Sequence, residues 1–128
     1  MKILDANMIL RLFIKDNEEM AEKVVELIDN NSVMIVPEVA AEVVFVMTKF
    51  YQKERNAVAS ALLALLEIEN VSAKEGDVLK YSIGLFGRTS LDFVDCLLCA
   101  YQVIGGYEIC TFDKKLNKLI EREIKQNE

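Results

Sequence analysis

The sequence has no histidine, and that absence removes the commonest general base, triads of the Ser-His type and most catalytic zinc sites. Carboxylates, lysine, cysteine or a metal ion remain to carry any chemistry. Long apolar runs are missing as well. The longest near-continuous one, Ala57 to Leu66, is broken by Ser60 and falls short of the ~18 residues a membrane span needs, so no membrane crossing is expected. Asp5 and Arg11 interrupt the run behind Lys2, unlike a signal peptide, and a cytoplasmic protein is the expectation. The 3 cysteines cannot all pair internally, which fits a reducing compartment. Cys96-x-x-Cys99 has redox or zinc spacing, but it lies in a helical run, Phe93 to Val103, without a second pair. Buried small side chains are the expectation there. Positive charge is scarce: 15 Lys and Arg against 21 Asp and Glu leave a net charge of -6, whereas nucleic-acid binders usually carry a basic face. That argument weakens if the acids surround bound cations, which reverse the local field.

What is present suffices for one domain over residues 1–128, because 52% hydrophobic residues can build a single sizeable core. Short strands are expected at Lys2 to Asp5, Val33 to Val36 and Glu108 to Thr111, with a weak strand or extended linker from Val71. Asn17 before Glu18 and Glu19 predicts a capped helix to about Asn30. Pro37 suits the first turn of a helix reaching Tyr51, and further helices are expected at Met8 to Ile14, Arg55 to Ile68, Glu75 to Phe86, Leu91 to Ile104 and Lys114 to Ile124. Gly84 and Gly87 should loosen and end one helix, and Gly105 and Gly106 another. Residues 119–128 read as a polar, partly frayed tail. Strands alternating with helices imply a parallel sheet covered on both faces.

Four acids stand where apolar residues are expected. Asp5 ends the first strand, Glu42 lies within the uncharged stretch Val39 to Met47, Asp95 lies within Leu91 to Ala100, and Asp113 follows the apolar run Ile109 to Thr111. An ionised carboxylate buried alone is costly, so each needs a cation or donors. Arg11, Lys49 and Lys80 are candidate ion-pair partners. Ligands of an open parallel sheet bind at the carboxyl ends of the strands, where Asp5 and Asp113 fall. Asp92 and Asp95, three residues apart, share a helix face, as do Glu38 and Glu42. Convergent acids without local cations describe a site for Mg²⁺ or Mn²⁺, which prefer oxygen ligands. Asp92 can equally cap its helix, and Glu38 reads as a solvated first-turn acid. Asn7 can cap a helix or hold Asp5 in orientation. Thr111 is either a strand former or a hydroxyl for a metal-bound water or a phosphate.

The ordered series Ile3-Leu4-Asp5-Ala6-Asn7, Pro37-Glu38-Val39-Ala40-Ala41-Glu42, Leu91-Asp92-Phe93-Val94-Asp95 and Cys110-Thr111-Phe112-Asp113 resembles the PIN-domain family, and within it the VapC toxins of toxin-antitoxin pairs. The resemblance spans Lys2 to about Leu119. It implies a three-layer α/β/α fold with a parallel sheet of four or five strands, and metal-dependent endonucleolytic cleavage of RNA. Asp5, Glu42, Asp95 and Asp113 match the family's acids, Asn7 and Thr111 its supporting polar positions, and Asp92 a position often acidic in one branch. It also implies a homodimer and an antitoxin segment that places a basic side chain among the acids. Incompletely covered apolar faces along Val43 to Tyr51 and Ala57 to Leu66 are expected to supply such interfaces.

Two rival readings remain at this point. One is a phosphatase with Asp5 as nucleophile, although Asn7 stands where a second Asp would be expected. The other is a non-catalytic interaction module whose acids bind a structural ion or a basic partner.

Overall fold

Val33 and Ile35 alternate with the less buried Met34, the period-two pattern that turns one side of a strand into the core. In the computed structural model, which describes residues 1–128, they form the middle strand of a parallel sheet. The strands are β1 (Lys2–Ile3), β2 (Val33–Ile35) and β3 (Val71–Ala73), in the order β1-β2-β3. Lys2 lies opposite Val33, and Val33 opposite Val71. Between them run α1 (Ala6–Phe13) and α2 (Glu18–Asn30), then α3 (Pro37–Phe45), a π-helical turn (Val46–Phe50) and α4 (Arg55–Leu66). After β3 come α5 (Gly76–Arg88), α6 (Phe93–Val103) and α7 (Lys114–Gln126). Helices cover both faces of the sheet, giving the three-layer α/β/α arrangement.

The sheet has three strands rather than four or five, because Glu108 to Thr111 forms no ladder. A side chain takes one of its donors instead, the Ile109 N–H donating to Gln102 Oε1 at 2.9 Å, and just beyond it the Asp113 N–H donates to Thr111 Oγ1 at 3.0 Å. The helices largely follow their caps. Asn17 accepts from the Met20 N–H at 3.1 Å, and Pro37 opens α3. Gly87 lies inside α5, where a Cβ would come within 2.8 Å of the Ala59 Cβ, so its role is close packing of α5 on α4. The expected frayed tail is helical to Gln126, with Leu119, Ile120 and Glu123 buried.

Packing of α5 against α4 and α6 dominates the core, and α7 closes on α6. Cys96 and Cys99 are fully buried and unpaired; burial pushes the Cys99 thiol up to about 11, which suits inert core side chains. The two apolar segments differ. Along Ala57 to Leu66 the large side chains are covered, whereas Phe45, Phe50 and Tyr51 stay exposed. No helix is long and apolar enough to cross a membrane.

Candidate metal centre

Asp5, Asp95 and Asp113 sit at helix starts and Glu42 in the second half of α3, but only Asp95 is even half-buried; the other three are exposed. Apolar neighbours in sequence did not imply burial, because a helix such as α3 keeps an outer face for Glu42. The expectation that these carboxylates need partners for reasons of burial therefore holds for Asp95 alone.

Asp5 follows β1 and caps α1, its Oδ1 accepting from the Met8 N–H at 2.9 Å. Asp113 caps α7 in the same way, accepting from the N–H groups of Lys115 at 2.9 Å and Leu116 at 3.1 Å. Thr111 accepts from Asp113, and its carbonyl takes the Asn117 amide at 3.1 Å, so this turn is held from both sides. Asp92 stands at the N-cap of α6 without a side-chain capping bond, and Asp95 is in the first turn. Burial first, then the charges of Asp113 and Asp92, raise the Asp95 carboxyl above its usual value. The structure thus brings Asp92, Asp95 and Asp113 into electrostatic contact across α6 and α7.

None of Asp5, Glu42, Asp92, Asp95 or Asp113 forms an ion pair. Arg11 pairs with Asp16, Lys80 with Glu67, Lys23 with Glu19, and Arg88 and Arg122 with Glu123. Asn7 does not hold Asp5: its Oδ1 accepts from Arg11 at 3.4 Å. Lys49 lines a cleft of about 320 Å³ with Asp92, Asp95, Phe45 and Val94, between α3 and α6, without pairing to either acid.

Two supports escaped the sequence reading. Arg55, on α4, donates through Nε to the Phe86 carbonyl at 3.1 Å and through Nη2 to the Leu91 carbonyl, and its guanidinium lies 3.6 Å from the centre of the Phe86 ring. It fixes the loop that delivers Asp92. Tyr101 donates to Glu75 Oε2 at 2.6 Å; that bond, then burial and the charges of Glu75 and Glu38, push its hydroxyl up to about 12. Glu75 has φ 52°, a strained conformation for a residue with a Cβ, and the Tyr101 bond helps to hold it. These contacts join residues 31, 36 and 26 positions apart, and no local pattern announces them.

As donors, the acids fit a hard divalent cation: oxygen ligands, no histidine, mutual repulsion at Asp95 and no ion pair, with Lys49 and Arg55 the cations that share the cleft of Asp92 and Asp95. As geometry they do not form a finished cage, since no group of three or more Asp, Glu, His or Cys stands close enough to hold an ion. A doubly covered parallel sheet with acids free of ion pairs, three of them at helix starts, defines an α/β protein with an anionic candidate site. The chain belongs to the PIN domain family, whose model matches residues 2–121. No curated protein and no solved structure matches it.

Proposed function

We propose that the protein is a metal-dependent endoribonuclease, the toxin of a toxin-antitoxin pair, hydrolysing RNA phosphodiester bonds with Mg²⁺ or Mn²⁺. The observation that carries the reading is Asp95, half-buried and loaded by the like charges of Asp113 and Asp92 with no cation paired to any of them. Such a group is in want of a counter-ion. Asp5, Asp95 and Asp113, with Glu42, would hold the metal, and a bound ion would supply an acidified water and charge neutralisation at the phosphate. Asp5 and Asp113 each keep one carboxylate oxygen on a helix N-terminus, which leaves the other without a hydrogen bond. Glu42, exposed on α3, is free to orient a water or take its proton. Thr111 and Asn117 keep the Asp113 turn in place.

Membership of the PIN family and the four ordered motifs support hydrolase chemistry, and the motifs support the VapC-like reading. The exposed Phe45, Phe50, Tyr51 and Val94 support a homodimer and an antitoxin contact. A non-catalytic module is the second reading, favoured by the absence of a group of three ligands within reach of one ion.

Cleavage of a labelled RNA in Mn²⁺ separates the two. Asp5→Asn, Glu42→Gln and Asp95→Asn should each reduce cleavage more than about 100-fold while staying folded. If the wild type shows no metal-dependent cleavage of any RNA tried, or if two of the three variants cleave like it, the nuclease gives way to the interaction module.

A further inference from the structure

Positive charge, scarce in the composition, gathers in one place. The end of α5, the loop into α6 and one side of α7 enclose an open cleft of about 590 Å³ whose polar lining is Arg88, Thr89, Ser90, Lys115, Lys118 and Arg122. Lys115, Lys118 and Arg122 recur three and four residues apart on α7, which puts them on one helix face. No carboxylate lines the cleft, and behind it the fully buried Glu123 binds Arg88 and Arg122. Lys115 and Lys118 are exposed and pair with no acid. In a chain of net charge -6, this excess is local and opposite in sign to the rest of the surface.

Both walls of the cleft run into the candidate metal centre. Leu91, part of the lining, directly precedes Asp92, and Lys115 belongs to the helical turn that Asp113 caps. A polyanion lying in the cleft would therefore continue toward the acids.

We infer that the cleft is a phosphate subsite for the backbone of single-stranded RNA, holding phosphates next to the one presented to Asp92, Asp95 and Asp113. This rests on the nuclease reading. The ammonium groups of Lys115 and Lys118 neutralise the backbone and release counter-ions, the sequence-independent source of nucleic-acid affinity. Arg88 and Arg122 add field while their own geometry is fixed by Glu123. A single strand can bend along so short a track, and it needs no broad basic face. The acidic remainder of the surface repels RNA and keeps the affinity low, while the few neutralised phosphates set the salt dependence.

Fluorescence anisotropy of a labelled single-stranded RNA, titrated with the full chain in EDTA across a salt series, reads the subsite without cleavage. The wild type should bind, and K115A/K118A should bind about tenfold more weakly at low salt. Its plot of log K against log salt should be shallower by about 1.4, or about 0.7 for each single-strand phosphate that is no longer neutralised. Both lysines are exposed, so the variant should melt with the wild type. K23A/K80A, which removes two exposed cations elsewhere, should keep the wild-type slope. No binding by the wild type, an unchanged slope in K115A/K118A, or an equal weakening in K23A/K80A overturns the inference. So does a weakening seen only with a labelled polyglutamate peptide, which would assign the cleft to an acidic protein segment. Cleavage of the same RNA in Mn²⁺ is scored separately. Wild-type cleavage with an unchanged slope removes the subsite and leaves the nuclease; a shallower slope without wild-type cleavage removes the nuclease and leaves a phosphate subsite.

Discussion

Asp95 and Glu123 lie on helices that pack against each other, α6 and α7, and their surroundings are opposite in sign. Glu123 is fully buried and receives Arg88, Arg122 and the Tyr81 hydroxyl. Those hydrogen bonds and charges, led by Arg88, outweigh its burial and hold its carboxyl down at about 2. Asp95 is less buried, yet burial and the charges of Asp113 and Asp92 push it up. A carboxylate with partners closes a fold; one among like charges costs stability until a cation arrives. The difference separates a structural acid from a candidate functional one where sequence treats all acids alike.

The largest effect on stability should come from the Glu123 side. Arg88→Ala leaves a buried carboxylate with one arginine and a tyrosine, and should cost about 3 kcal/mol, read as a lower denaturant midpoint. RNA cleavage per folded molecule should fall far less than in Asp95→Asn, because Arg88 adds only field to the phosphate cleft and pairs with none of the candidate metal ligands. A loss of cleavage without a loss of stability would break the division between the two acids.

Acid titration sharpens it. Because the Glu123 carboxyl is lowered in the fold, its contribution is present above the ordinary value of 4.5 and lost as pH falls toward about 2. The stability gap between wild type and Glu123→Gln should therefore close over that range. Asp95 has the other sign: its carboxyl is raised, so ionisation destabilises the fold as pH rises through the shifted value. Without metal, Asp95→Asn should be more stable than wild type at pH 7, the advantage vanishing below the ordinary value of 3.8. Urea melts at several pH values check both.

Arg55→Ala, which frees the loop ahead of Asp92, should have the smallest effect, about 1 to 2 kcal/mol. Its signature is faster amide exchange at 89–92 than elsewhere.

Much of the fold was legible because its signals are local. Asn17 before two glutamates, Pro37 after a short apolar strand, and the run Phe93 to Val103 each mark an element the structure contains. The failures share a cause. Glu108 to Thr111 has the composition of a strand, but strand formation depends on whether the sheet or a side chain captures its donors, and here Gln102 takes the Ile109 N–H. The tail looked polar because Glu123 occupies a core position in the stripe Leu116, Leu119, Ile120; its partners Tyr81 and Arg88 lie 42 and 35 residues away. At the candidate site, the helix starts that carry Asp95 and Asp113 were readable, while the exposure of the acids and the capping roles of Asp5 and Asp113 were not.

The most direct measurement is the melting temperature in EDTA and in millimolar Mn²⁺, for wild type and Asp95→Asn side by side. An ion that binds only the folded acids at about 100 times its dissociation constant adds about 2.7 kcal/mol. Wild type should therefore melt several degrees higher in Mn²⁺, and Asp95→Asn should show little or no shift. Equal wild-type melting temperatures in Mn²⁺ and EDTA would contradict a metal centre at these carboxylates.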